Sequence, residues 1–127
     1  RTIFIGNPTD DKRNIYNLVF QAQTEAIKSI KHKVKASKIH KIAVSIFKKQ
    51  NLQNHFIHSL GHGSGLQVHE KPSLSAKSKD LLKNNMIFSV EPGLYFKWGG
   101  IRIEDLVTIE NNSPKILGSK SHFIILD

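Results

Sequence analysis

The chain of 127 residues contains no cysteine, which excludes disulfides and any thiolate nucleophile or metal ligand. No apolar stretch reaches the length of a membrane span, and no charged n-region is followed by the apolar h-region of a secretory signal. Acidic residues are few: ten stand against 19 lysines and arginines, for a formal net charge of +9. Eight of those 19 fall between Lys28 and Lys49, the strongest argument in the chain for a nucleic-acid partner. That cluster is pure lysine, with Phe47 its one aromatic and no arginine fork or nucleic-acid motif. We read it as a solvated helical face and expect neither a nucleic-acid nor a membrane partner. The missing cysteine and membrane span make a cytoplasmic protein the expectation, and 39% hydrophobic residues over this length suit one folded core.

Periodicity divides the chain into helices first and strands later. Thr9 is a candidate N-cap with Asp10 and Asp11 in the first turn, and Ile15, Leu18, Val19, Ala22, Ala26 and Ile30 recur at helical spacing, so a helix is expected from about Asp10 to about Lys31. Ser37 is the expected cap of a second helix, whose stripe is Ile39, Ile42, Ala43, Ile46 and Phe47 and whose end falls near Gln50. Pro72-Ser-Leu-Ser and the polar segment Lys77–Asp80 read as a surface connection. Strands are expected over Met86–Val90, Leu94–Lys97 and Ile101–Ile109, with a turn at Glu110–Pro114 and a closing strand at Lys115–Leu117. The expected class is α+β, with both helices on one face of a mainly antiparallel sheet.

Three histidines occur in the string Phe56-Ile-His58-Ser-Leu-Gly-His62-Gly-Ser-Gly-Leu-Gln-Val-His69-Glu-Lys-Pro72, followed by Glu91-Pro92-Gly93 and Arg102-Ile-Glu104. Imidazoles and carboxylates that converge on one point are what a hydrolytic metal centre requires, and His62, Glu91 and Glu104 are the candidate ligands. Gly61, Gly63 and Gly65 would let the backbone pass close to a metal or substrate. On a strand, Arg102 shares a side with Glu104. Taken alone, His58 could be a solvated side chain and Arg102 could simply pair with Glu104 or Asp105. Glu70 and Asp105 are read as structural.

In this order and context the strings resemble the pita-bread metallopeptidases, the family of methionine aminopeptidases, Xaa-Pro aminopeptidases, prolidases and the metal-free creatinases. The resemblance runs through most of the chain. It implies that His62 and Glu91 are metal ligands, that Glu104 bridges two divalent ions, and that His69 contacts the substrate and the tetrahedral intermediate. His58, four residues before His62, and Arg102, two before Glu104, favour the proline-directed branch over methionine aminopeptidases. His58 and His69 would then donate hydrogen bonds to the substrate carbonyl and oxyanion, and Arg102 would orient Glu104 or the substrate.

The implied reaction is hydrolysis of the bond between an N-terminal residue and proline, aided by two divalent ions. Manganese is favoured, with cobalt or zinc as alternatives. The partner is then a peptide with proline second, and the parent protein is expected to be a homo-oligomer. The family's remaining ligands are two aspartates ahead of a Thr-Arg-Thr string, and Arg1-Thr2 resembles the residues immediately after the second aspartate. Residues 1–127 are thus expected to be the second, C-terminal half of the catalytic domain, inactive alone, with one surface exposed where the first half would pack. A methionine aminopeptidase and a metal-free peptide- or histone-binding module are the alternatives, and the retained His62, Glu91 and Glu104 argue against the latter.

Overall fold

A computed structural model describes residues 2–118 and 123–126. Strand β1 (Thr2–Ile5) precedes helices α1 (Asp10–Lys28) and α2 (Ala36–Lys48). A 3-10 turn (Gln53–His55) then leads to strands β2 (Gly61–Gly63), β3 (Glu70–Leu74), β4 (Ile87–Val90), β5 (Gly93–Phe96), β6 (Gly99–Arg102), β7 (Asp105–Glu110), β8 (Ser113–Ile116) and β9 (Phe123–Leu126).

The expected class holds: two helices pack together and onto an antiparallel five-stranded sheet of order β3-β2-β4-β7-β8. The antiparallel pair β5-β6 extends from the end of that sheet, and β1 and β9 form a separate parallel pair. The core lies between helices and sheet, where Val19, Ala22, Ala26, Ile39, Ala43 and Phe47 meet Phe88, Val90, Leu94, Val107 and Ile109. Fully burying side chains of this size is worth about 1.5–3 kcal/mol each. The lysines of α2, Lys38, Lys41 and Lys48, all face outward.

Local chemistry accounts for where the elements begin and end. Thr9 caps α1, its hydroxyl accepting from the Lys12 amide at 3.4 Å. The helix stops at Lys28 rather than Lys31, where the Ser29 hydroxyl donates back to the Glu25 carbonyl at 2.9 Å. Ser37 does not cap α2. Lys35 is drawn into an extended bridge with Leu81, and the Ala36 amide donates to the Asp80 carbonyl at 2.9 Å, so a neighbouring segment supplies the acceptor a serine would have given. That helix ends at Lys48, short of Gln50.

Three expectations about strands need correction. Pro72-Ser-Leu-Ser is not a surface connection, because Glu70–Leu74 is the edge strand β3, paired with β2 and burying Leu74. The continuous strand expected over Ile101–Ile109 is two strands. Gly99–Arg102 pairs with β5 and Asp105–Glu110 with β4, so residues 103–104 lie where the chain passes from one pair to the other. The turn expected over Glu110–Pro114 narrows to Asn111 and Asn112, both at positive φ (49° and 65°), as a two-residue hairpin requires.

Candidate active site

Strands β2, β4 and β7 run side by side, so His62, Ser89 and Leu106 form one cross-strand row. The row continues past the end of β4 to Glu91 and past the start of β7 to Glu104. An open cleft of about 520 Å³ lies over it, lined by His62, His69, Glu91, Arg102 and Glu104, with the exposed loop 64–68 as its rim. Five of the six side chains singled out from the sequence therefore share one cleft.

Within the cleft His62 and Glu91 make the central contact, with Nε2 3.2 Å from Oε1. The His62 Nδ1 lies 3.0 Å from the Gly63 carbonyl, which can only accept, so Nδ1 carries a hydrogen. In the neutral ring, Nε2 then turns a lone pair toward a carboxylate oxygen. Two acceptors at this distance need a proton or a cation between them, and about 3 Å is the spacing of neighbouring ligands on one ion with bonds near ~2.1 Å. Glu91 is only 11% exposed at its side chain and is further held by the Ser89 hydroxyl, which donates to Oε1 at 2.7 Å. The same hydroxyl accepts from the His62 amide at 3.0 Å, so Ser89 ties the two together.

Arg102 reaches the second oxygen of Glu91, Nη1 to Oε2 at 3.9 Å, and its Nε donates to the Tyr95 hydroxyl at 2.7 Å. That hydrogen bond, and then the nearby charges of Glu91 and Glu104, raise the guanidinium pKa above its ordinary value. Arg102 and Glu104 also share a second recess of about 300 Å³ with Tyr95 and Gly100. The donor set of one imidazole and two carboxylates on one cleft fits part of a shell for a hard or borderline divalent ion. Among the described residues, however, no three His, Cys, Asp or Glu side chains stand close enough to form a complete cluster.

His58 lies outside the cleft. Its ring packs against Phe56 and Tyr95, with centroids at 5.1 and 5.4 Å, and Nδ1 donates to the Ser59 carbonyl at 2.7 Å. Its Nε2 is buried without a partner, so a neutral His58 presents an acceptor there, not the donor expected from the sequence. His69 is exposed on the loop, its ring 4.2 Å from that of His62.

The glycines serve another purpose than the one expected. A Cβ on Gly61 would stand 1.9 Å from the Ser89 carbonyl oxygen, and one on Gly63 would stand 2.1 Å from that of Lys71. They admit the neighbouring strands. A Cβ on Gly65 would strike the carboxylate of Glu70, whose Oε1 accepts from the Gln67 amide at 2.7 Å, so Glu70 organises the cleft's rim. Ser89 and Tyr95 escaped the sequence reading. Ser89 is a small polar residue in an apolar strand two before Glu91, a signal visible in hindsight.

A sequence model of metallopeptidase family M24 matches residues 1–111, and the chain belongs to that family. The Xaa-Pro dipeptidase of Pyrococcus furiosus is 43% identical over 118 residues, 92% of this chain but 34% of that protein. The prolidase structure from the same organism matches at a TM-score of 0.89, with 41% identity, covering 92% of this chain and 35% of that one. The X-Pro aminopeptidase structure from Thermotoga maritima matches at 0.94, with 34% identity over 99% of this chain and 36% of that one. The fold is thus that of part of a pita-bread peptidase, and the chain spans about a third of the length of the curated relatives it matches. No helix among the described residues is long and apolar enough to cross a membrane.

Proposed function

We propose that the protein to which these residues belong is a metal-dependent peptidase that cleaves between an N-terminal residue and proline, and that residues 1–127 form the C-terminal half of its catalytic domain. The observation that carries this reading is the facing pair His62 Nε2 and Glu91 Oε1, an imidazole and a carboxylate 3.2 Å apart in a cleft of about 520 Å³. His62, Glu91 and Glu104 would hold divalent ions, with manganese preferred and cobalt or zinc as alternatives for this oxygen-rich set. Such ions supply a water acidic enough to attack a peptide near neutral pH.

The remaining side chains orient substrate and move protons. Glu91, gripped by Ser89 and faced by Arg102, stays fixed at the cleft wall, where a carboxylate can take a proton from the attacking water and pass it on. His69, exposed on the rim loop and next to His62, would donate to the oxyanion as charge grows on it. Arg102, pinned by Tyr95, holds Glu91 and presents the rest of its guanidinium to the substrate. His58 packs on Tyr95, the residue that pins Arg102, and would act on the substrate only through that ring.

The test is a comparison of peptides with the full-length protein and added divalent metal. Xaa-Pro peptides should be hydrolysed in preference to Met-Ala peptides. A preference for Met-Ala by tenfold in kcat/KM, about 1.4 kcal/mol in the transition state, would move the protein to the methionine aminopeptidase branch.

A further inference from the structure

Gln23 is the least expected polar residue in the core. It sits on the inner face of α1 among Val19, Ala22 and Ala26, and it is 2% exposed. Its side-chain nitrogen faces three acceptors: the Val90 carbonyl at 3.1 Å, the Ile103 carbonyl at 3.2 Å and Asp105 Oδ2 at 3.2 Å. Two backbone carbonyls cannot donate, so the amide is oriented with its NH₂ toward them.

The two carbonyls have a particular address. Val90 O belongs to the peptide that leads into Glu91, and Ile103 O to the peptide that leads into Glu104. Both lie where the β4-β7 pair gives way to β5-β6 and the regular ladder is interrupted. There the backbone of residues 91–92 and 103–104 is held by single bonds, Glu91 N to Leu60 O at 2.8 Å and Ile103 N to Pro92 O at 3.3 Å. One buried amide from a helix 67 and 80 residues away thus ties together the entries to both carboxylates.

We propose that Gln23 is a positioning residue that sets the spacing of Glu91 and Glu104 by clamping the carbonyls of Val90 and Ile103, and through that spacing sets metal affinity. The proposal rests on the reading of Glu91 and Glu104 as metal ligands. Its chemistry is specific: an apolar side chain of the same length removes the donor that both buried carbonyls share, and replacing it requires the strands to shift. Any such shift moves both carboxylates.

The test uses the full-length protein, freed of metal and titrated with Co²⁺ alone, followed by calorimetry and by the visible absorption of the bound ion. Gln23→Met, folded by circular dichroism, should bind Co²⁺ about 10- to 100-fold more weakly and with an altered spectrum. Val19→Ala, a fully buried position on the same helix face, should lower Tm yet leave Co²⁺ affinity and spectrum as they were. An unchanged affinity and spectrum in folded Gln23→Met would overturn the proposal. If Gln23→Met does not fold, Gln23→Asn, which keeps the amide but withdraws it by one methylene, must show the same weakening. Failure of both variants to fold would also overturn it, since Gln23 would then serve the core at large. Glu91→Gln and Glu104→Gln belong in the same titration. If neither weakens Co²⁺ binding, the metal-site reading itself fails; if both do and Gln23→Met does not, the clamp fails alone.

Discussion

At the scale of single residues the cleft separates groups that would hold ions from groups that would meet substrate. His69 is exposed on a loop and adjoins His62 by ring contact, whereas Glu104 rises from the joint between β6 and β7 beside Arg102. In the full-length protein His69→Ala should lower kcat by roughly a hundredfold with metal content unchanged, because the proposed oxyanion donor would be removed. Glu104→Ala should instead deplete the metal measured by atomic emission, because one of the carboxylates proposed to hold the ions would be lost. The reverse pattern would exchange the two roles.

At the scale of elements, the site depends on how closely β2 approaches its neighbours. Gly61 leaves no room for a side chain against the Ser89 carbonyl, and Ser89 carries the hydroxyl that joins His62 to Glu91. Gly61→Ala should therefore cost about 1–3 kcal/mol of stability, read as a lower Tm, and weaken metal binding with it. Helix α2 reaches the same strands through His40, which is buried, accepts from the Leu60 amide at 3.3 Å and is hydrogen-bonded to the Leu74 backbone. Burial holds its pKa below the ordinary value, outweighing the Leu74 bond. Its unfolded value is about 6.5, so the unfolded chain takes up the proton first as pH falls. The stability His40 contributes is complete above about pH 6.5 and is lost as pH drops from there through the folded value. Tm should fall on acidification, and the fall should be shallower in His40→Gln; parallel curves would remove His40 from the account.

At the scale of the whole molecule, large apolar side chains stand in water at several places. Ile5 and Leu126 are exposed on the β1-β9 pair, and Leu66, Val68 and Leu106 are exposed around the cleft. An exposed apolar surface of this kind is expected where another part of the protein would pack. Because this chain spans about a third of the relatives it matches and offers one imidazole and two carboxylates as candidate ligands, it should by itself show no peptidase activity and bind at most one Mn²⁺ weakly. A tightly held metal pair in the isolated chain, measured by calorimetry, would contradict that expectation.

The sequence by itself determined the helical stripes, the capping of α1 by Thr9, the α+β class and the family motifs, because each depends on residues a few positions apart. All six candidate site residues could be named from those motifs, and five of them line one cleft. Tertiary structure decided what separation along the chain conceals. It broke the apolar run Ile101–Ile109 at Ile103 and Glu104, since two different partner strands compete for it. It replaced Ser37 as a cap with the carbonyl of Asp80, and it assigned the glycines to strand packing. It also set Ser89 and Tyr95 against the site residues and joined Gln23 to the carbonyls of Val90 and Ile103. A hydrogen bond between residues 67 or 80 positions apart leaves no periodic trace, because the register that creates it is set by the packing of the whole core.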